Sequence, residues 1–178
     1  MFHLNTELLI DYWRELAGAW AMPLRAEVDP AGFAHLAPRV FIAQRTPGDV
    51  IFRLAGEEIV GLHGAPLRGV SLLARWRREH RAYLLRALDA ALKSATPVVI
   101  GAGIEDAPSE ARLEVLFAPL RSASGAADRF LGLYQTSPAS GQLACPAGLL
   151  SILAIDGATT SPQAAGPRLA SVDGRRIA

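Results

Sequence analysis

The chain has 178 residues, 51% of them apolar and 20% charged, with a formal net charge of +1. That balance excludes a polybasic nucleic-acid binder and an acidic solvating tail, and the apolar content excludes a disordered chain. A single cysteine, Cys145, excludes an internal disulfide framework and any multi-cysteine metal site.

The N-terminus, Met1-Phe2-His3-Leu4-Asn5-Thr6-Glu7, has no basic region followed by an uninterrupted apolar stretch and a cleavage site. No run of 18 apolar residues occurs, so the expectation is a cytoplasmic protein without a membrane span. Thr6 to Ala19 is expected to form an amphipathic helix. Leu9, Trp13, Leu16 and Trp20 recur every three or four residues, with Tyr12 beside them. Asn5 or Thr6 can cap its start, and Gly18 weakens its end. The apolar stripe serves either as a dock on the chain's own core or as a dimer interface.

Residues 23–38 are irregular, with room for a short helix between Pro30 and Leu36. A hairpin follows. Val40-Phe41-Ile42-Ala43 and Val50-Ile51-Phe52-Arg53-Leu54 are β-type runs, and Thr46-Pro47-Gly48-Asp49 has the chemistry of a turn. Ala55 to His63 is a short helix closed by Gly61 and Gly64, with Pro66 preventing its continuation. The longest helix is expected over Trp76 to Ser94, striped by Leu84, Leu85, Leu88, Ala91 and Leu92 and stopped at Thr96-Pro97. Three strands are then predicted at Pro97–Gly103, Ala111–Leu120 and Phe130–Gln135. After Ser137 the composition turns to Pro, Gly, Ala and Ser and implies a linker-like tail. One short apolar element stands at Leu149–Ile155, and Asp173-Gly174 can form a turn.

The order predicts an α+β domain: five antiparallel strands, helices inserted between the second and third, and a core between one sheet face and those helices. The expected organisation is an N-terminal helix at 1–22, the α+β domain at 23–137 and a low-complexity tail at 138–178. The order and four sequence stretches resemble a PAS domain, in particular the stand-alone PAS proteins of alphaproteobacteria. Arg53-Leu54-Ala55-Gly56 runs into a short helix ending at Gly64, and the connector Leu67-Arg68-Gly69 follows. Glu114-Val115-Leu116-Phe117-Ala118-Pro119-Leu120 resembles the family's Glu-x-Leu-x-x-Pro-Leu strand, and Arg129-Phe130-Leu131-Gly132 its final strand. The match spans roughly residues 6–137.

The resemblance implies a sheet cupping a pocket used for ligand sensing, dimerisation or partner binding. Phe52, Ile59, His63, Leu88, Val99, Glu114 and Leu116 are its candidate lining, and Leu9, Trp13, Leu16 and Trp20 its candidate homodimer interface. No output domain accompanies it, so a separate signalling protein is the expected partner. Haem ligation would fall to His63, and flavin photochemistry of this fold would need a cysteine in a helix motif that Cys145 does not supply. Metal binding by His3, His35, His63 and His80 fails on spacing. Ser71, Ser94 and Ser109 lack a nucleophile context, and adjacent Glu57 and Glu58 face different directions.

Two other functions compete with the sensory reading. A small-molecule enzyme on an α+β cup would need an inward base in an apolar pocket, for which Glu114 is the candidate. A phosphate or nucleotide binder would use Arg75, Arg77, Arg78 and Arg81, with Trp76 available for stacking. Every basic residue except Lys93 is Arg. That bias fits GC-rich coding better than nucleic-acid recognition, because the net charge is near zero.

Overall fold

The computed structural model describes residues 2–18, 22–105, 107, 111–136 and 146–157. Helix α1 spans Leu4–Ala17 and helix α2 Glu57–His63, with α3 at Arg78–Ser94. The strands are β1 Val40–Thr46, β2 Asp49–Ala55, β3 Val98–Ile104, β4 Arg112–Arg121, β5 Ala127–Thr136 and β6 Leu150–Gly157. They form one antiparallel sheet in the order β2-β1-β5-β4-β3-β6. The α+β class holds, with six strands among the described residues rather than five. The sixth is the apolar element at 149–155 on the tail side of Ser137, which pairs with β3 from Val98–Gly157 to Ile104–Leu150.

The sheet is buried on both faces. Phe41, Val50, Phe52, Ile100, Leu113, Val115, Phe117, Phe130 and Tyr134 point towards α2 and α3. Val40, Ile42, Val99, Leu116, Ala118, Leu120, Leu131 and Leu133 point the other way. There they meet Leu9, Ile10, Trp13 and Ala17 of α1 and Phe33 and Leu36 of the 3₁₀ segment Pro30–Arg39. Alternate residues of a strand go to opposite faces, so two cores require strands that are apolar at nearly every position. The run Val115 to Leu120 is buried throughout for this reason. Gly132 is needed where the two layers of side chains are densest: a Cβ there would overlap the Phe41 ring.

Helix α1 begins two residues earlier than its apolar period suggests. His3 is the N-cap, its Nδ1 accepting the Asn5 N–H at 3.1 Å. The Glu114 carboxylate on β4 accepts the His3 N–H at 3.0 Å and the Thr6 hydroxyl at 2.8 Å. These acceptors satisfy donors that a helix start otherwise leaves orphaned. Gly18, at φ 50°, ends the helix. Helix α3 begins two residues later than its pattern suggests. Trp76 is not helical: it follows the 3₁₀ turn Leu73–Arg75 in extended conformation and is fully buried.

Candidate functional site

Helix α2 is short, and its last residue carries the site. Ile59 and Leu62 bury one side of it, and Gly64 closes it in the left-handed conformation at φ 66°. The chain beyond β5 returns over this end. Pro146 lies against Gly64, and the Ala147 N–H donates to the Leu62 carbonyl at 2.7 Å. Under that cover His63 is 6% exposed and points into the core. Its Nε2 lies 3.4 Å from the hydroxyl of Tyr134 on β5, and the two rings meet edge-on at 5.7 Å. Tyr134 also packs edge-on against Phe41 at 5.6 Å.

Arg75 is the third member. It ends the 3₁₀ turn before α3, and its charge acts on both His63 and Tyr134. Its Nε is fully buried and makes no hydrogen bond, and no ion pair to its guanidinium occurs among the described residues. Trp76 Nε1 is likewise buried and unpaired. Burial lowers the His63 pKa to about 4, with Arg75 adding to the shift. The imidazole is therefore neutral at pH 7. Burial also raises the Tyr134 pKa, against an opposing pull from Arg75, so its hydroxyl stays protonated. The neutral imidazole and the phenol thus meet in the apolar space between α2 and the sheet, and the Arg75 charge acts on both. Such a group can bind and orient a polar ligand. It lacks a carboxylate base.

The seven residues expected to line a pocket do not come together. Phe52, Ile59, His63 and Leu88 are in the core with α2 and α3. Val99 and Leu116 are in the opposite core, under α1. Glu114 shares that second face and holds the start of α1 rather than facing His63. The reason is register: these three occupy the alternate positions of β3 and β4. Of the expected dimer residues, Leu9 and Trp13 are buried on the chain's own sheet, with Trp13 Nε1 donating to the Pro119 carbonyl at 2.7 Å. Leu16 packs partly against the same core. Trp20, Cys145, Ser109 and Asp173-Gly174 lie outside the described residues.

The four arginines do not form one patch either. Arg75 turns inward. Arg77 pairs with Glu79 at 2.8 Å and Glu105 at 3.7 Å, and Arg81 Nε donates to the Trp76 carbonyl at 2.9 Å. Arg78 is exposed at the first position of α3. Arg81 also lines an open cleft of about 360 Å³ with Gly48, Asp49, Ser71, Leu73, Ala82 and Leu85. The polar atoms there are already engaged, Asp49 Oδ1 accepting from Ser71 Oγ at 2.8 Å and from the Val50 N–H at 2.7 Å. Among the described residues no group of three or more His, Cys, Asp and Glu side chains could hold a metal. A haem iron at His63 Nε2 would have to displace the Tyr134 contact.

The sequence reading names His63 as candidate pocket lining, leaves Tyr134 out and places Arg75 with the arginine patch. Tyr134 was legible as a residue sharing a strand face with Phe130. Arg75 was read with its basic neighbours, although the buried Trp beside it signals a segment that dives inward.

An antiparallel sheet covered by α2 and α3 on one face and by α1 on the other defines a small α+β module. The family model for the PAS domain matches residues 1–135, and the chain belongs to the PAS-domain family, whose members are generally non-catalytic sensory and regulatory modules. No curated protein matches the chain. No helix among the described residues is long and apolar enough to cross a membrane.

Proposed function

We propose that this chain is a non-catalytic PAS sensory module of bacterial signalling. It binds a small ligand at His63, Tyr134 and Arg75 and passes the change to a separate signalling protein. The observation that carries this reading is the enclosed polar cluster itself. An imidazole and a phenol buried in an apolar core, and a guanidinium Nε buried without an acceptor, each carry a desolvation cost.

The surroundings of the cluster support a route outward. His63 follows Leu62, whose carbonyl holds Ala147. Arg75 precedes Trp76 and Arg77, which contact Leu150 by a β-bridge and a 2.8 Å hydrogen bond. Both site residues therefore adjoin contacts made by the segment 146–152. A ligand that moves either one shifts strand β6 and the residues just before it. Homodimerisation, if α1 mediates it, falls to its outer residues Leu4 and Leu8, which are exposed.

Native mass spectrometry with an absorption spectrum of freshly purified protein tests the reading. A co-purified small molecule, or a small molecule from a screen whose binding perturbs the NMR signals of His63 and Tyr134, supports it. Turnover of a substrate that survives Arg75→Gln and His63→Phe would count against it. Light scattering of Leu4→Glu/Leu8→Glu tests the dimer: a mass unchanged from that of a dimeric wild type removes α1 from the interface.

A further inference from the structure

The start of α3 is fastened to β6 by two hydrogen bonds of different kinds. The Arg77 N–H donates to the Leu150 carbonyl at 2.8 Å, backbone to backbone, beside the bridge between Trp76 and Leu150. Further along β6, the Ile152 N–H donates to Nδ1 of His80 at 2.9 Å. A backbone N–H only donates, so this contact fixes the imidazole: Nδ1 carries the lone pair and, in the neutral ring, Nε2 carries the proton. A doubly protonated imidazole has no lone pair on either nitrogen and would turn a second N–H towards Ile152. The position in the ladder adds to the effect. The register of β6 on β3 shifts between Ala102–Ile152 and Gly101–Ala154, so Leu153 is an extra residue and pairing with β3 is interrupted next to Ile152.

We propose that His80 is a proton-operated clasp: its neutral ring holds β6 to α3 at Ile152, and protonation releases that hold while the Arg77–Leu150 bond remains. Histidine is the side chain whose charge ordinarily changes between about pH 5 and 8, and His80 is half-buried, within reach of water. The charged groups around the ring come from three elements. Arg77, Arg78, Glu79 and Arg81 flank it in sequence. Glu79 interacts with it electrostatically and pairs with Arg77, which also meets Glu105 just beyond β3, and Arg81 donates to the Trp76 carbonyl. Arg75 belongs to the 3₁₀ turn before α3. On β6 the one titratable side chain is Asp156, beyond Ile152, and β3 itself has none.

The test is an NMR titration of the full-length ¹⁵N-labelled chain from about pH 8 to about pH 5. It follows the Ile152 amide and the His80 ring nitrogens, with the amide of the fully buried Val115 on β4 as the control for global unfolding. At the alkaline end His80 should be the tautomer protonated at Nε2. On acidification the Ile152 amide should shift with the same midpoint as the His80 ring. Its hydrogen-exchange protection should fall at least about fivefold, the weight of one net hydrogen bond, while Val115 stays protected. His80→Gln offers a carbonyl oxygen that does not titrate, so the Ile152 amide should no longer follow the pH. His80→Phe offers no acceptor and should leave that amide poorly protected throughout. A ring protonated at Nδ1 at the alkaline end, or a His80 that stays neutral to the acid end, overturns the proposal. So does an Ile152 amide that ignores a titrating His80, or one that keeps its pH response in His80→Gln.

Discussion

His63 Nε2 lies 3.4 Å from the Tyr134 hydroxyl, joining the end of α2 to the middle of β5 inside the core. The ring is buried and neutral, and that neutrality has a cost in acid. The folded chain holds the His63 pKa near 4, whereas the unfolded chain returns it to 6.5. Between those values the unfolded state takes up a proton that the folded state refuses. Stability is therefore complete above about pH 6.5 and falls as the pH drops towards 4, by roughly 3 kcal/mol at most. Urea denaturation across that range should show the decline in the wild type. His63→Phe should flatten it, and the difference between the two isolates the contribution of His63. A wild-type His63 imidazole that titrates near pH 6.5 by NMR would refute the prediction.

Trp13 provides a second test, because its indole is committed to the chain's own core. Trp13 Nε1 donates to the Pro119 carbonyl at 2.7 Å, and the ring packs with Leu116, Ala118 and Leu120. Trp13→Phe keeps most of the apolar contact but leaves that carbonyl without its donor. The expected loss is about 1–3 kcal/mol. Trp13→Glu should unfold the N-terminal half rather than dissociate a dimer. A folded Trp13→Glu variant that is merely monomeric would show that α1 is an interface helix first.

The Glu114 carboxylate makes a prediction about local rather than global stability. It accepts from the His3 N–H and the Thr6 hydroxyl and so fastens the start of α1 to β4. A carboxylate there also suits the positive end of the helix dipole. Glu114→Ala should raise amide hydrogen exchange across Leu4–Leu8 while leaving β4 and β5 protected. Exchange unchanged in α1 would mean that Leu9 and Trp13 suffice to hold it.

The elements were readable in the sequence because their signals are local. The period of Leu84, Leu88, Ala91 and Leu92 marks α3, and Thr46-Pro47-Gly48-Asp49 marks the β1–β2 turn. The family resemblance was readable too, in Arg53-Leu54-Ala55-Gly56 and in the β4 stretch around Pro119. The assembly of the site was not. Whether Val99 and His63 share a pocket depends on which alternate residues of β3 face α2. Strands apolar on both faces carry no period-two signal to decide it. Arg75 was lost for a different reason. Three arginines follow it within six residues, and only the fold separates the one whose Nε is buried from those that meet Glu79, Glu105 and solvent.

Strand β6 supplies the last prediction, because it turns part of an apparent tail into part of the domain. Leu150 is fully buried among the residues that α2 and α3 cover. Its carbonyl accepts the Arg77 N–H at 2.8 Å, and the Ile152 N–H donates to His80 Nδ1 at 2.9 Å. The strand thus closes the open edge of β3 and is itself closed along part of its outer edge by the start of α3. Leu150→Ala should cost about 2–5 kcal/mol, the usual range for emptying a buried leucine site. Ending the chain at residue 145 removes more than one side chain. It bares the N–H and C=O groups of β3 and the apolar residues beside them, which is a template for intermolecular pairing. The truncated protein should aggregate or lose most of its stability in urea, whereas ending the chain at residue 157 should not. A chain ending at 145 that is monomeric and as stable as the full-length protein would place β6 outside the folding unit. It would also deprive the neighbours of His63 and Arg75 of their contacts with residues 146–152.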